Sequence, residues 1–132
     1  MLADVIILSG SKWSPEVLPR IQRSAGPYRI TSELKKHGYT SIVIDYTQFM
    51  TVEEVIKAIS THITPKTLWV GYSSTFFHLV KQGGYTPLER MYQTTEYDSI
   101  TRIYDYIKSV SSAKIVFGGA YALLAHADKN VD

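Results

Sequence analysis

Apolar positions in this chain fall into two patterns. Short β-branched runs alternate with longer stretches in which apolar residues return every three or four positions. The runs ADVIIL (3–8), SIVID (41–45), TLWVGY (67–72) and AKIVF (113–117) predict strands, each broken by small polar residues or glycine. Between them, a helix is predicted over 27–37, where Ile30 and Leu34 share a face, Lys35-Lys36 fill the last turn and Gly38 gives a stop signal. A second is predicted from Val52, with Thr51 and Glu54 as a capping box, with Val55, Ile56, Ile59 and Ile63 in register, and with Pro65 as its end. Ile100, Ile103, Tyr104, Ile107 and Val110 predict a third, and 120–127 a last short one. Residues 9–27 and 76–95 read as long loops, the latter with partial helix, and a loop of that length favours a binding or lid role over simple linkage.

Strands alternating with helices imply right-handed crossovers. The expected fold class is therefore α/β: a three-layer, flavodoxin-like (Rossmann-like) domain with a mainly parallel sheet and helices on both faces. Ligands of such sheets bind beyond the carboxyl ends of the strands, where the strand order reverses. For a flavodoxin-like order, the loops after the first and third strands flank that crevice. Here these are Ser9–Gly26 and Ser73–Thr75, with Gly118-Gly119 joining from the side.

Composition narrows the chemistry. The chain has 132 residues, 45% apolar and 20% charged, which fits a single globular domain over 1–132. A net charge of +2 with scattered Lys and Arg gives no nucleic-acid footprint. The absence of cysteine removes disulfides, thiolate nucleophiles and Cys-ligated metal or iron–sulfur sites. No apolar run approaches a membrane span, and the first strand carries Asp4, unlike a signal peptide, so the expected location is cytoplasmic with no membrane partner.

Several ligand signatures fail. Neither G-x-G-x-x-G nor G-x-x-x-x-G-K-[ST] occurs. Gly71-Tyr72-Ser73-Ser74-Thr75 begins like a nucleophile elbow, but Thr75 stands where the second glycine belongs. A phospho-acceptor receiver would need acidic residues where Ser9 and Ser73 stand. His37, His62, His78 and His126 are dispersed without metal spacing, and surface histidines account for them. Ser73-Ser74-Thr75 is either a strand-end cap or a binding turn. Gly118-Gly119 is either a tight turn needing positive φ or a bare-backbone seat for a flat ligand. Of the tyrosines, Tyr72 and Tyr121 are expected nearest the crevice.

The segments SAGPYRITSELKKHGYTSIVIDY, LWVGYSSTFF and KIVFGGAYA, in this order and spacing, resemble the N-terminal cobalamin-binding-type domain of cobalamin-dependent radical S-adenosylmethionine enzymes. The likeness covers nearly the whole chain apart from 76–95. It implies a cobalamin-binding module that positions the corrin, and hence its metal, for a downstream catalytic domain. Ser9, Gly10, Ser11, Ala25 and Gly26 would belong to the loop facing the corrin. Ser73, Ser74 and Thr75 would line the pocket of the nucleotide tail, and Gly118 and Gly119 would let that tail lie on backbone. In the family, a fifth strand and a radical S-adenosylmethionine barrel follow the equivalent of KNVD. The resemblance thus implies a fragment truncated before its fifth strand. It would be non-catalytic alone, with iron–sulfur cluster and S-adenosylmethionine confined to the downstream domain as partner, and with an open sheet edge prone to self-association.

One departure matters. Domains of the methionine-synthase type ligate cobalt through a histidine in the first loop, and no histidine occurs between residues 9 and 26. Cobalamin would then bind without a protein ligand. The alternative is a cofactor-free Rossmann-like scaffold or interaction domain that has lost it.

Overall fold

A computed structural model describes residues 1–9, 25–47, 50–73 and 101–118. Four strands, β1 (Val5–Leu8), β2 (Ser41–Ile44), β3 (Trp69–Ser73) and β4 (Lys114–Gly118), form one sheet in the order β2-β1-β3-β4. Every neighbouring pair is parallel. The helices among the described residues are α1 (Ala25–Lys36), α2 (Val52–Ser60) and α3 (101–110). The fold is thus a three-layer α/β arrangement with flavodoxin-like strand order, and order reverses between β1 and β3.

The two faces of the sheet have different partners. Ile6, Leu8, Ile44, Val70, Tyr72 and Ile115 point to one side and pack with Val55 and Ile59 of α2 and Ile103, Tyr104 and Ile107 of α3. Tyr72, Tyr104 and Phe117 form an aromatic knot there, with Tyr72 stacked on Phe117 at 5.5 Å and edge-on to Tyr104 at 5.7 Å. Tyr72 is consequently a core residue, 2% exposed, and does not line the crevice as the sequence suggested. The alternate positions of β1, the buried Val5 and Ile7, face the other side, where α1 packs against β2.

Each helix end has a local cause. Thr51 caps α2: its side chain accepts from Glu54 N, while the Glu54 carboxylate accepts from Thr51 N, the predicted reciprocal box. The helix stops at Ser60, ahead of Pro65, and Ile63 packs on the core from beyond its end. At the close of α1, Gly38 N donates to Lys35 O and Tyr39 N to Leu34 O, the paired bonds of a Schellman motif, with Gly38 at φ 84°.

The rotation of α1 corrects the sequence reading. Pro27 and Thr31 are its buried residues, with Leu34 half-buried on the same side, whereas Ile30 is 47% exposed. Two polar contacts tie the helix to the β2 segment: Thr31 Oγ1 lies 3.2 Å from Ser41 Oγ, and the Tyr28 hydroxyl donates to Asp45 Oδ2 at 2.8 Å. Of the expected apolar pair, Ile30 turns outward while Leu34 stays half-buried.

Candidate functional site

Register brings the strand ends together. Leu8 stands opposite both Ile44 and Tyr72, Tyr72 opposite Phe117, and Ser73 opposite Gly118. One step past Leu8 and Ile44 come Ser9 and Asp45. Asp45, Ser9, Ser73 and Gly118 therefore form a row of positions across the carboxyl end of the sheet. Each is one residue beyond a core-facing position. Three of these, Ser9, Ser73 and Gly118, are candidates from sequence; they come from segments far apart in the chain.

Ser9 is fully buried. Its N–H donates to Ile44 O at 2.9 Å, and its carbonyl accepts from Thr47 N at 3.1 Å and Thr47 Oγ1 at 3.0 Å. Its own Oγ meets no hydrogen-bond partner among the described residues. A buried hydroxyl without a partner is costly, so it marks a place where a polar group would be welcome.

Gly118 is exposed, and a Cβ added there would meet nothing within 4 Å among the described residues. Its φ lies outside the left-handed region, so no turn geometry demands glycine at this position. The positive-φ turn that would demand a glycine is therefore absent at Gly118. Ala25 and Gly26 open α1, and both are exposed. The Tyr28–Asp45 bond brings this end of the helix beside the end of β2. Gly10, Ser11, Ser74, Thr75 and Gly119 lie outside the described residues, as do the 76–95 segment and Tyr121.

Sequence reasoning passed over the β2 end. Asp45 accepts the Tyr28 hydroxyl on one oxygen and Tyr46 N–H, at 2.9 Å, on the other. Tyr46 takes φ 60°, a conformation that non-glycine residues rarely adopt and that is held only where surroundings fix it. The fixing groups are Asp45 before it and Thr47 after it, the latter bonded twice to Ser9 O. The only advance signal was an acidic residue ending a strand.

The Trp69 ring lies over Gly71. A Cβ on Gly71 would stand 2.6 Å from Trp69 Cζ3. Val116, opposite Gly71 on β4, is 41% exposed. Among the described residues no group of three His, Asp or Glu is placed to hold a metal ion, and no helix is long and apolar enough to cross a membrane. No known family model, curated protein or solved structure matches this chain.

Proposed function

We propose that the crevice at the β1/β3 switch point is a cofactor site of the cobalamin type, and that the chain serves as the corrin-positioning module of a radical S-adenosylmethionine enzyme. One observation carries this reading: Ser9, Ser73 and Gly118 converge on a single row at the carboxyl end of a parallel sheet, with an orphaned buried hydroxyl at Ser9 and open space over Gly118 among the described residues. Those features suit a large, mostly uncharged ligand that needs both backbone surface and polar anchors. Ser9 would anchor it beside β1, and Gly118 would leave room for its nucleotide tail.

When bound, the corrin supplies methyl-transfer or related cobalt chemistry, and the protein supplies binding and orientation. In this reading the chain works in the cytoplasm beside a radical S-adenosylmethionine domain, which holds the iron–sulfur cluster. The absent histidine in residues 9–26 favours a second reading, in which the same fold acts as a cofactor-free scaffold.

Gly118→Val separates the two. Because an added Cβ meets no described residue and φ is ordinary, a β-branched residue fits the strand and stability should change by no more than about 0.5 kcal/mol. Hydroxocobalamin should co-elute with the wild-type protein on gel filtration and be lost from the variant, with matching thermal melts. A wild-type protein that retains no corrinoid would transfer the assignment to the scaffold.

A further inference from the structure

We infer that Thr47 is a positioning residue for the corrinoid: by holding the Ser9 carbonyl with two bonds, it fixes the direction of the Ser9 side chain, whose hydroxyl meets the ligand. This rests on the corrinoid reading of the crevice. Ser9 stands one residue past β1, where a chain is ordinarily free to change course. Here its backbone is fully committed. Its N–H donates to Ile44 O at 2.9 Å, and Thr47 brings two donors to its carbonyl, the backbone N–H at 3.1 Å and Oγ1 at 3.0 Å. A carbonyl oxygen has two lone pairs, so both are engaged. The one polar atom of Ser9 left over is Oγ, which is buried and meets no partner among the described residues.

Bringing Thr47 to Ser9 costs backbone strain. After β2 the chain passes through Tyr46 at φ 60° and reaches Thr47, which is buried against the end of β1. A left-handed tyrosine is held only where its surroundings over-determine it, and such residues cluster at ligand clamps. A staple that served stability alone has no use for a hydroxyl at position 9. Alanine there would keep every backbone bond and remove the cost of a buried group without a partner. A fixed backbone carrying an unpaired hydroxyl is instead what a pre-organised anchor requires, since the ligand displaces no internal partner when it binds.

The test separates affinity from stability. Bind hydroxocobalamin to wild type and variants, follow corrin absorption, and record thermal melts of the unliganded proteins. Ser9→Ala should weaken binding about threefold to tenfold, the worth of one neutral hydrogen bond, while its melting temperature holds or rises. Thr47→Val keeps the backbone bond and loses the one from Oγ1; it should weaken binding too, and Thr47→Ser should restore it. In the Ser9→Ala background, Thr47→Val should cost no further affinity, although its effect on the melting temperature persists. Losses of affinity that add, or an undiminished affinity in either single variant, overturn the positioning role while leaving the corrinoid site standing. A wild type that binds no hydroxocobalamin overturns both. If Thr47→Val does not fold, amide exchange of the wild-type protein decides: bound corrinoid should slow exchange of the Thr47 N–H, and an unchanged rate rejects the role.

Discussion

The six-membered ring of Trp69 rests on Gly71, two residues along the same strand and on the same face, so closely that a methyl group at Gly71 would come within 2.6 Å of Cζ3. Glycine is thus needed at this position for contact rather than for backbone freedom. Gly71→Ala should displace the indole and destabilise the fold by roughly 1–3 kcal/mol, the usual cost of overpacking. Trp69→Leu on the Gly71→Ala background should recover part of that loss. Urea titrations of the single and double variants would show this as non-additivity, and strictly additive values would remove the steric explanation.

The Schellman turn closing α1 gives a second expectation. Gly38 sits at φ 84° with no described residue near an added Cβ, so the penalty for Gly38→Ala comes from backbone conformation alone. A loss of about 1 kcal/mol is expected in a chemical melt. Gly38→Asn should lose less, because Asn tolerates the left-handed region. The reverse order would count against the turn.

The reciprocal cap on α2 should be worth about 1 kcal/mol through Thr51. Thr51→Ala should therefore lower the melting temperature more than Glu54→Ala does, since the first leaves the Glu54 N–H without its acceptor. Thr51→Ser should restore most of the loss.

Across the layer, Arg102 of α3 donates to Glu53 of α2 at 2.6 Å. That hydrogen bond is the main cause holding the Glu53 carboxyl below the ordinary carboxylate range. A lowered value in the folded state means the contact stabilises above the unfolded carboxylate range and is lost as pH falls through the folded value. Both side chains are exposed, so the effect is small and salt-sensitive. The stability difference between wild type and Arg102→Ala should shrink on acidification and in high salt. A difference that held constant from neutral pH to pH 3 would exclude this linkage.

What could be read from the sequence was local. The β-branched runs and the alternation of strand with helix predicted four strands in a parallel sheet, with bounds shifted by one or two residues, and the capping box and Gly38 stop signal stand where expected. The missed features depend on contacts between distant segments. Thr31 with Ser41 and Tyr28 with Asp45 join α1 to the β2 segment, and neither pairing leaves a trace in hydrophobic spacing. Tyr72 looked like a crevice residue because it precedes Ser73-Ser74-Thr75. Strand alternation puts its ring on the opposite face, in the core. The same alternation, applied to Trp69 and Gly71, would have shown that they share a side. Of the site, the Ser9, Ser73 and Gly118 positions were legible as strand ends. The place of Asp45 beside Ser9 was not, since it depends on register across β1 and β2.

The strand order has a further consequence for how the chain acquires its structure. β1 is interior to the sheet, paired with β2 on one side and β3 on the other, and none of the strand pairs is a hairpin. Each sheet contact must therefore close a long segment of chain, which slows folding relative to helical bundles of similar size. During synthesis Val5–Leu8 emerges before both of its partners, and its second flank is covered only once Trp69–Ser73 has left the ribosome. Until then a fully apolar strand waits with a bare edge. Among the described strands, β1 is completed only by β3.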